Sequence, residues 1–209
     1  MKKVYDTINQ YCVEHELLTN GDGIVIGLSG GMDSVCLLQV LAALRNEWQL
    51  RLVCVHVHHG IRGTAADEDA AFAQRLAAKY NISFRLYEMD IPQLAKEQGL
   101  SEEEAGRNYR YRCFEEVRKE LNFDKIAVAH HRDDQAETVL WQILRGSGLR
   151  GVCGMRAGRA NIIRPLLCLD RQQIEQIVRG NGDGWREDAT NREEKYTRNK
   201  IRNRVFPYI

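Results

Sequence analysis

The sequence has no apolar run long enough to cross a membrane and almost no net charge. Its longest stretch without Asp, Glu, Lys or Arg on an apolar background is residues 34–44, whereas a membrane-spanning helix needs about 20 residues. Near the N-terminus, Asp6, Asn9 and Glu14 interrupt any apolar run, so we expect no secretory signal peptide. The 30 basic and 29 acidic residues give a net charge of +1. Taken alone, that balance argues against a dedicated nucleic-acid-binding protein.

A Cys-x-x-Cys pair is also absent. The six cysteines are scattered along the chain, so we expect buried thiols rather than a disulfide framework or a metal site. We therefore expect a cytoplasmic protein. The length of 209 residues and the 44% hydrophobic content are those of a globular protein with one large domain, or one domain and a short appendage.

Short apolar runs alternate with helical patterns along the chain. Five strands are expected, at residues 24–26, 50–57, 84–87, 126–129 and 162–163. Helices are expected at residues 34–44, after Asp67 and Ser101 as N-caps, around Pro92, from about Asp133, and after Asp170 as N-cap to about Arg179. This alternation predicts a doubly wound α/β fold, with a mostly parallel five-stranded sheet and helices on both faces. Ligands of such sheets bind beyond the carboxyl ends of the strands.

Residues 27–34, with the sequence GLSGGMDS, lie between the first strand and the first helix, and we call them the phosphate loop. Consecutive glycines let the backbone approach a ligand closely. The serine hydroxyls and the free N–H groups of the following helix can donate to an anion. The lysine of a Walker A loop is missing. The loop instead resembles the SGGxDS motif of the PP-loop ATP pyrophosphatases, which cleave ATP to AMP and pyrophosphate.

Histidines follow the second and fourth strands, in the segments HVHHGIRG and AHHRDDQAET. Adjacent strand residues point to opposite faces, so in the first segment His56 and His58 could bind one metal ion from the same strand. Such a site would favour a metal-dependent phosphoesterase. Alternatively, the rings hydrogen-bond the loop backbone and line a nucleotide pocket.

Carboxylates and arginines occur near the same strand ends. Asp33 and the pair Asp133 and Asp134 could hold Mg²⁺ against phosphate oxygens or deprotonate an amine. Asp133 has the alternative role of a helix N-cap. Arg107 and Arg110 share one helix face, which suits phosphate, although a solvated pair facing neighbouring glutamates would show the same spacing.

Six segments in order resemble the tRNA(Ile)-lysidine synthase family of PP-loop enzymes, from about residue 21 to residue 207. They are HVHHGIRG, GRNYRYRCF, AHHRDDQAET, LRGSGLRGVCGM, IIRPLL and WREDATNREEKYTRNKIRN. The resemblance implies an AMP-forming carbon–nitrogen ligase that uses ATP and Mg²⁺. Its partners would be L-lysine and an isoleucine tRNA with a CAU anticodon, whose wobble cytidine is adenylated, with release of pyrophosphate, and then joined to lysine, with release of AMP. A homodimer is compatible with the sequence.

The resemblance also implies residue roles. ATP would be bound by Ser29, Gly30, Gly31, Met32, Asp33, Ser34, His56 and His58. Catalysis would depend on Asp33, Asp134, Asp133, Arg110 and Arg107, with the arginines near the phosphates, Asp134 near the lysine amine, and Mg²⁺ on Asp33 and Asp134. The alternatives are another PP-loop adenylating ligase that modifies tRNA or forms amides, and a nucleotide-binding module without catalysis.

The small net charge conceals an uneven distribution of charge along the chain, with two basic stretches. Residues 145–164 and 195–209 each contain five cations and no acid, which leaves 20 cations against 29 acids elsewhere. We expect the first stretch to be a mobile cationic loop, and tRNA to contact Arg145, Arg150, Arg198 and Arg202. We expect one catalytic domain over residues 1–209, with the sheet and helices to about residue 180 and a basic segment at 181–209. Because many family members continue into C-terminal tRNA-binding domains, we expect the sequence to be the catalytic part of a longer protein.

Overall fold

The chain alternates strands and helices, as a computed structural model shows for residues 2–58, 64–148 and 153–186. The strands are β1 (Gly23–Gly27), β2 (Arg51–His58), β3 (Ser83–Glu88), β4 (Lys125–Ala127), β5 (Gly158–Arg159) and β6 (Ile162–Ile163). The helices are α1 (Lys2–Glu14), α2 (Met32–Leu44), α3 (Thr64–Lys79), α4 (Ile91–Gln98), α5 (Glu102–Glu120), α6 (Arg132–Leu144) and α7 (Arg171–Gly180), with a 3₁₀ helix at Pro165–Cys168.

The six strands form one sheet in the order β3-β2-β1-β4-β6-β5. All neighbouring pairs are parallel except β5 and β6. The strand order reverses between β1 and β4, because the chain first adds strands on one side of β1 and then returns to its other side. In doubly wound sheets, ligands bind at this switch point. The predicted doubly wound α/β fold is confirmed, with a short antiparallel strand added at one edge.

Helices cover both faces of the sheet, because alternate strand residues enter two separate cores. Ile24 and Ile26 of β1 pack in the core that contains α1, α2 and α7. Val25 of β1 and Val53 of β2 pack on the opposite face, in the core that contains α4 and α5. Apolar residues therefore fill every position along β1, as the uninterrupted Ile-Val-Ile run indicates for a strand buried on both faces.

Several local sequence signals mark the ends of helices correctly. Ser101 accepts a hydrogen bond from the Glu104 amide at 3.2 Å and starts α5. Asp170 accepts from the Gln173 amide at 2.9 Å and starts α7. Pro92 lies in the first turn of α4. These three predictions are confirmed, because each depends on contacts within four residues of sequence.

Other predictions about the fold were wrong. Helix α1 was not expected, because its buried side is narrow and comprises only Ile8 and Cys12. Helix α3 begins at Thr64, so that Asp67 lies in its first turn and is not its N-cap; Ala65 and Ala66 have the highest helix propensity and extend the helix. The expectation that all the cysteines are buried fails for Cys153, which is exposed in a turn, and for Cys168, which is half-buried.

Burial makes the thiols of Cys12 and Cys54 unreactive. Burial raises the pKa of Cys12 to about 12, and it does the same for Cys54. Both thiols therefore stay protonated at neutral pH and pack as small apolar groups. Among the helices that the structure describes, none is both long and apolar enough to span a membrane.

Candidate active site at the switch point

The phosphate loop leaves the carboxyl end of β1 and is ordered by its own serines. The Ser34 hydroxyl accepts a hydrogen bond from the Gly30 amide at 3.1 Å and donates to the Gly31 carbonyl at 2.8 Å. The Ser29 hydroxyl lies 3.1 Å from the Ser34 hydroxyl. Gly30 has a φ of +89°, a conformation that glycine adopts without the steric cost of a Cβ atom. The backbone shape of the loop thus requires glycine at position 30, whereas Gly31 has an ordinary extended conformation.

Helix α2 starts at this loop without a side-chain cap. Its N-cap is Gly31, whereas α4, α5, α6 and α7 start at residues whose side chains accept a hydrogen bond from the first turn. An uncapped N-terminus presents donor N–H groups and a positive dipole end, which favour an anion. Met32 is buried in the core, so it offers a ligand its backbone amide rather than its side chain.

His56, at the end of β2, supports the start of the phosphate loop. Its ring Nδ1 lies 2.8 Å from the Leu28 carbonyl oxygen, which requires a proton on Nδ1. Burial lowers the pKa of His56, with the hydrogen bond to Leu28 acting in the opposite direction. His56 is therefore neutral near pH 7 and shapes the loop backbone. His58 lies 3.4 Å from Asp67 of α3, and His59 lies outside the described residues.

His131, in the AHHRDDQAET segment, lies beside Asp33 of the phosphate loop. Its side chain is almost fully buried, and its Nε2 lies 3.8 Å from Asp33 Oδ2 and 3.5 Å from Asp134 Oδ2. Its Nδ1 accepts a hydrogen bond from the Asp133 amide at 3.2 Å, so the ring proton of the neutral form is on Nε2 and faces the two carboxylates. Asp33 and Asp134 are thereby brought close together although they are 101 residues apart in sequence.

The N-cap of α6 is His131, and the alternative interpretation of Asp133 as the cap is wrong. His131 and Asp134 form a capping box, in which the Asp134 carboxylate accepts a hydrogen bond from the His131 amide at 3.0 Å. Asp133 lies in the first turn, half-buried. The sequence left the role of His131 open, because histidine is not among the usual capping residues.

Substitution of His131 should separate its two roles. We expect His131→Ala to lower the free energy of unfolding by about 1 kcal/mol, because it removes the cap of α6. His131→Asn supplies a capping oxygen and should stay close to wild type in urea denaturation. Both variants should lose ATP-dependent activity, because neither places an imidazole between Asp33 and Asp134. An active His131→Asn variant would mean that the imidazole serves only as a cap.

Helix α7 adds a cation to the same site. Arg171, its first residue, donates to Asp33 Oδ1 at 2.7 Å. Arg132, the first residue of α6, pairs with Asp170 at 2.6 Å and so ties the starts of α6 and α7 together. The N-termini of α2, α6 and α7 therefore meet at the switch point. Sequence reasoning missed Arg171, because its contact with Asp33 spans 138 residues and has no local signal.

Arg107 and Arg110 of α5 place positive charge near the end of β2. Loss of water around Arg110 lowers the pKa of its guanidinium, and the charge of Arg107 acts in the same direction. Arg110 keeps exposed surface. Its charge also contributes to lowering the pKa of His56, which places it toward the end of β2. Arg107 stacks over the Tyr111 ring at 5.5 Å.

Residues 145–164 form less of a loop than we expected. Gly158–Arg159 and Ile162–Ile163 pair as an antiparallel hairpin at the sheet edge. Arg164 is buried and donates to the Arg156 carbonyl at 3.0 Å and to His130 Nδ1 at 3.3 Å. The expectation of a mobile loop was therefore wrong for this part, because pairing with β4 and burial of Arg164 fix the backbone.

The residues proposed for tRNA are only partly within the described structure. Arg145 ends α6 and stacks over the Trp141 ring at 5.4 Å. Arg150, Arg198 and Arg202 lie outside the described residues. Their assignment to tRNA stays a prediction.

Asp33 and Asp134 also have the chemistry that a magnesium ion requires. In the part of the chain that the structure describes, no three His, Cys, Asp or Glu side chains form a metal-binding group, so a dedicated protein-bound metal of a phosphoesterase finds no support there. Magnesium bound to nucleotide phosphates needs only one or two carboxylates. The two aspartates, both within 4 Å of His131 Nε2, fit that requirement.

Glu137 is a buried carboxylate that the sequence did not single out. It lies one turn after Asp134 on α6 and is 3% exposed, less than any other residue of that helix. The apolar residues of α6 are only half-buried or exposed. An acid buried in preference to its apolar neighbours indicates a site rather than a core face. This reversal of the usual burial of apolar and charged residues cannot be seen in the sequence.

Comparison with known sequences identifies the family. Residues 2–209 match the PP-loop domain. The chain belongs to the PP-loop domain family. It is 48% identical over 209 residues to tRNA(Ile)-lysidine synthase of Caldanaerobacter subterraneus subsp. tengcongensis, covering 100% of this chain and 44% of that protein. It is 42% identical over 207 residues to tRNA(Ile)-lysidine synthase of Clostridium tetani, covering 99% of this chain and 44% of that protein. This PP-loop domain thus spans less than half the length of these curated relatives.

Solved structures share the fold of this PP-loop domain. The U34-tRNA thiolase NcsA of Methanococcus maripaludis, solved with its [4Fe-4S] cluster, superposes with a TM-score of 0.70 at 20% identity, over 89% of this chain and 65% of that one. The NH3-dependent NAD synthetase of Campylobacter jejuni superposes with a TM-score of 0.57 at 17% identity, over 87% of this chain and 73% of that one. At these identities the likeness supports the fold alone.

Proposed function

We propose that this PP-loop domain catalyses the ATP-dependent joining of L-lysine to the wobble cytidine of an isoleucine tRNA with a CAU anticodon. One observation carries the proposal: an uncapped phosphate loop and two carboxylates on different helices meet around His131 Nε2. A PP-loop domain uses ATP at its loop, and the names of relatives up to 48% identical supply the substrate class.

The residues divide between two chemical steps. In the first, the cytidine carbonyl oxygen attacks the α-phosphorus of ATP and pyrophosphate leaves. The phosphate loop, with Arg107 and Arg110, stabilises the charge that develops on the leaving group. Magnesium bound at Asp33 and Asp134 would neutralise phosphate charge.

The second step requires a neutral amine. The lysine ammonium has an ordinary pKa near 10.4, so it must lose a proton before it attacks the cytidine ring carbon and expels AMP. We assign the acceptance of that proton to Asp134, which lies with Asp33 within 4 Å of His131 Nε2. Asp133, on the next face of the same helix turn, is the second candidate.

The decisive experiment is incorporation of labelled lysine into RNA. The protein is incubated with isoleucine tRNA, ATP and labelled lysine, and the label is followed in RNA together with release of AMP. Lysine-dependent AMP release supports the proposal. Release that depends on another amine or on a sulfur donor would favour a different adenylating ligase. ATP binding without turnover would indicate a nucleotide-binding module.

The affinity for tRNA should decrease steeply with salt. If the four arginines proposed for tRNA each contact one phosphate, raising the salt from about 50 to 200 mM should weaken binding roughly 100-fold. Filter binding across a salt series measures the slope. A slope near zero would contradict the assignment of Arg145, Arg150, Arg198 and Arg202.

We also propose that the enzyme acts in the cytoplasm and that it is a homodimer. Light scattering tests the homodimer.

A further inference from the structure

Residues 181–186 cross from the end of α7 to the phosphate loop, and we call them the strap. Asp183 accepts a hydrogen bond from Gln39 of α2 at 2.7 Å and pairs with Lys79 of α3. At the other end, the Arg186 amide donates to the Gly30 carbonyl at 2.9 Å. The strap is therefore attached to two helices and ends directly on the phosphate loop.

The hydrogen bond to Gly30 determines which way the next amide points. In a planar trans peptide, the carbonyl of one residue and the N–H of the following residue point in opposite directions. With its carbonyl held by Arg186, the Gly30–Gly31 peptide directs the Gly31 N–H to the other side, toward the Ser29 hydroxyl at 3.4 Å. That side is where the loop serines and the start of α2 converge.

The Arg186 side chain keeps this backbone contact in place. Its Nε donates to Asp69 at 2.7 Å and its terminal nitrogen donates to Glu68 at 2.7 Å, both in the first turns of α3. Phe72 of α3 and the Arg186 side chain also pack close to Gly30. A Cβ atom added at Gly30 would lie 3.4 Å from the Phe72 ring and 3.8 Å from Arg186 Cγ. Two adjacent glycines have little intrinsic preference for one peptide orientation, so the contact from Arg186 adds to the hydrogen bonds of Ser29 and Ser34 in selecting it.

We propose that Arg186 is a positioning residue for ATP, which orients the Gly31 amide toward the phosphates through its backbone and holds that backbone through its pairs with Glu68 and Asp69. This inference rests on the proposed function of the phosphate loop. It assigns no chemistry to Arg186, whose guanidinium faces α3. Its effect is on the affinity for ATP and not on the rate of the chemical steps.

The test compares ATP binding and turnover in matched variants of this chain. Arg186→Ala should weaken ATP binding about tenfold, as expected for two exposed ion pairs that are used to fix a binding conformation. It should raise KM for ATP with little change in kcat. Arg186→Lys, which can keep one pair, should recover part of the affinity. Arg85→Ala, which removes a similar exposed pair with Glu120 on the far edge strand β3, is the control.

A double-mutant cycle separates positioning from a general loss of stability. The double variant Glu68→Gln, Asp69→Asn should weaken ATP binding as Arg186→Ala does, and combining all three changes should add little more. In ¹⁵N-glycine-labelled protein, the Gly31 amide should lose hydrogen-exchange protection in Arg186→Ala. Wild-type affinity in Arg186→Ala, a fall in kcat alone, or additive effects would each overturn the inference. A wild-type chain that binds no ATP would overturn the proposed function with it.

Discussion

Asp134→Asn should lower lysine incorporation by roughly 10²- to 10⁴-fold, the usual contribution of a positioned proton acceptor. An amide cannot take the proton from the lysine ammonium. The substitution is nearly isosteric, and the Asn oxygen can still accept the hydrogen bond that Asp134 takes from the His131 amide at 3.0 Å. The cap of α6, and with it the position of His131, should therefore survive.

Partial reactions show which step has failed. ATP binding should stay within a few-fold of wild type, because the phosphate loop does not contain Asp134 and Asp33 still provides the one carboxylate that Mg²⁺ on ATP needs. Single-turnover assays should accumulate the adenylated cytidine and release pyrophosphate, while AMP release and lysine incorporation fall. A higher pH should partly restore the rate, since more of the free lysine is then unprotonated. Full incorporation in Asp134→Asn would refute its role and leave Asp133 as the candidate.

A matched variant guards against an indirect effect through helix capping. Asp90 is the N-cap of α4 and accepts from the Gln93 amide at 3.0 Å, but α4 packs against α5, away from the phosphate loop. Asp90→Asn makes the same chemical change at a helix start and should leave lysine incorporation unchanged. Equal losses in the two variants would show that capping, and not proton transfer, explains the effect.

The parts of the site that could be predicted are those determined by short-range sequence. The phosphate loop follows from a buried strand, two glycines and a helix within about 20 residues. Asp33 and Asp134 were expected at the same edge of the sheet, because both follow parallel strands. They lie close together only because β1 and β4 are neighbours. Strand order depends on packing of the whole sheet and has no local signature.

The contacts that could not be predicted join distant residues. Arg171 reaches Asp33 across 138 residues, and Arg186 reaches Asp69 across 117. A surface arginine carries no sequence signal for its partner, because almost any exposed carboxylate satisfies it. The first basic stretch illustrates the same limit: its charge and glycine content suggested a mobile cationic loop over residues 145–164, whereas Arg164 is a buried structural group.

Asp183→Asn should produce the largest loss of stability among the substitutions considered. The Asp183 side chain is 4% exposed, pairs with Lys79, and accepts hydrogen bonds from Gln39 and Tyr80. An amide would replace one acceptor oxygen by a donor and leave a buried donor without an acceptor. Leaving these buried hydrogen-bonding groups unsatisfied should cost about 2–4 kcal/mol, or roughly 5–15 °C in Tm for a chain of this size. Glu120→Gln, which breaks an exposed pair with Arg85, should cost less than about 1 kcal/mol.

The same carboxylate gives the stability a defined pH dependence. Burial alone would raise the pKa of Asp183, but hydrogen bonds from Lys79, Tyr80 and Gln39 outweigh it and hold the pKa below its ordinary value. A carboxylate with a lowered folded-state pKa stabilises the protein above the unfolded-state pKa of about 3.9, and this stabilisation is lost as the pH falls through the folded-state value. Urea denaturation of wild type and Asp183→Asn should therefore show a constant difference from about pH 7 to pH 5 that closes below about pH 4. A difference that persisted undiminished at pH 3 would mean that the shape of the side chain, and not its charge, holds the strap against α2 and α3.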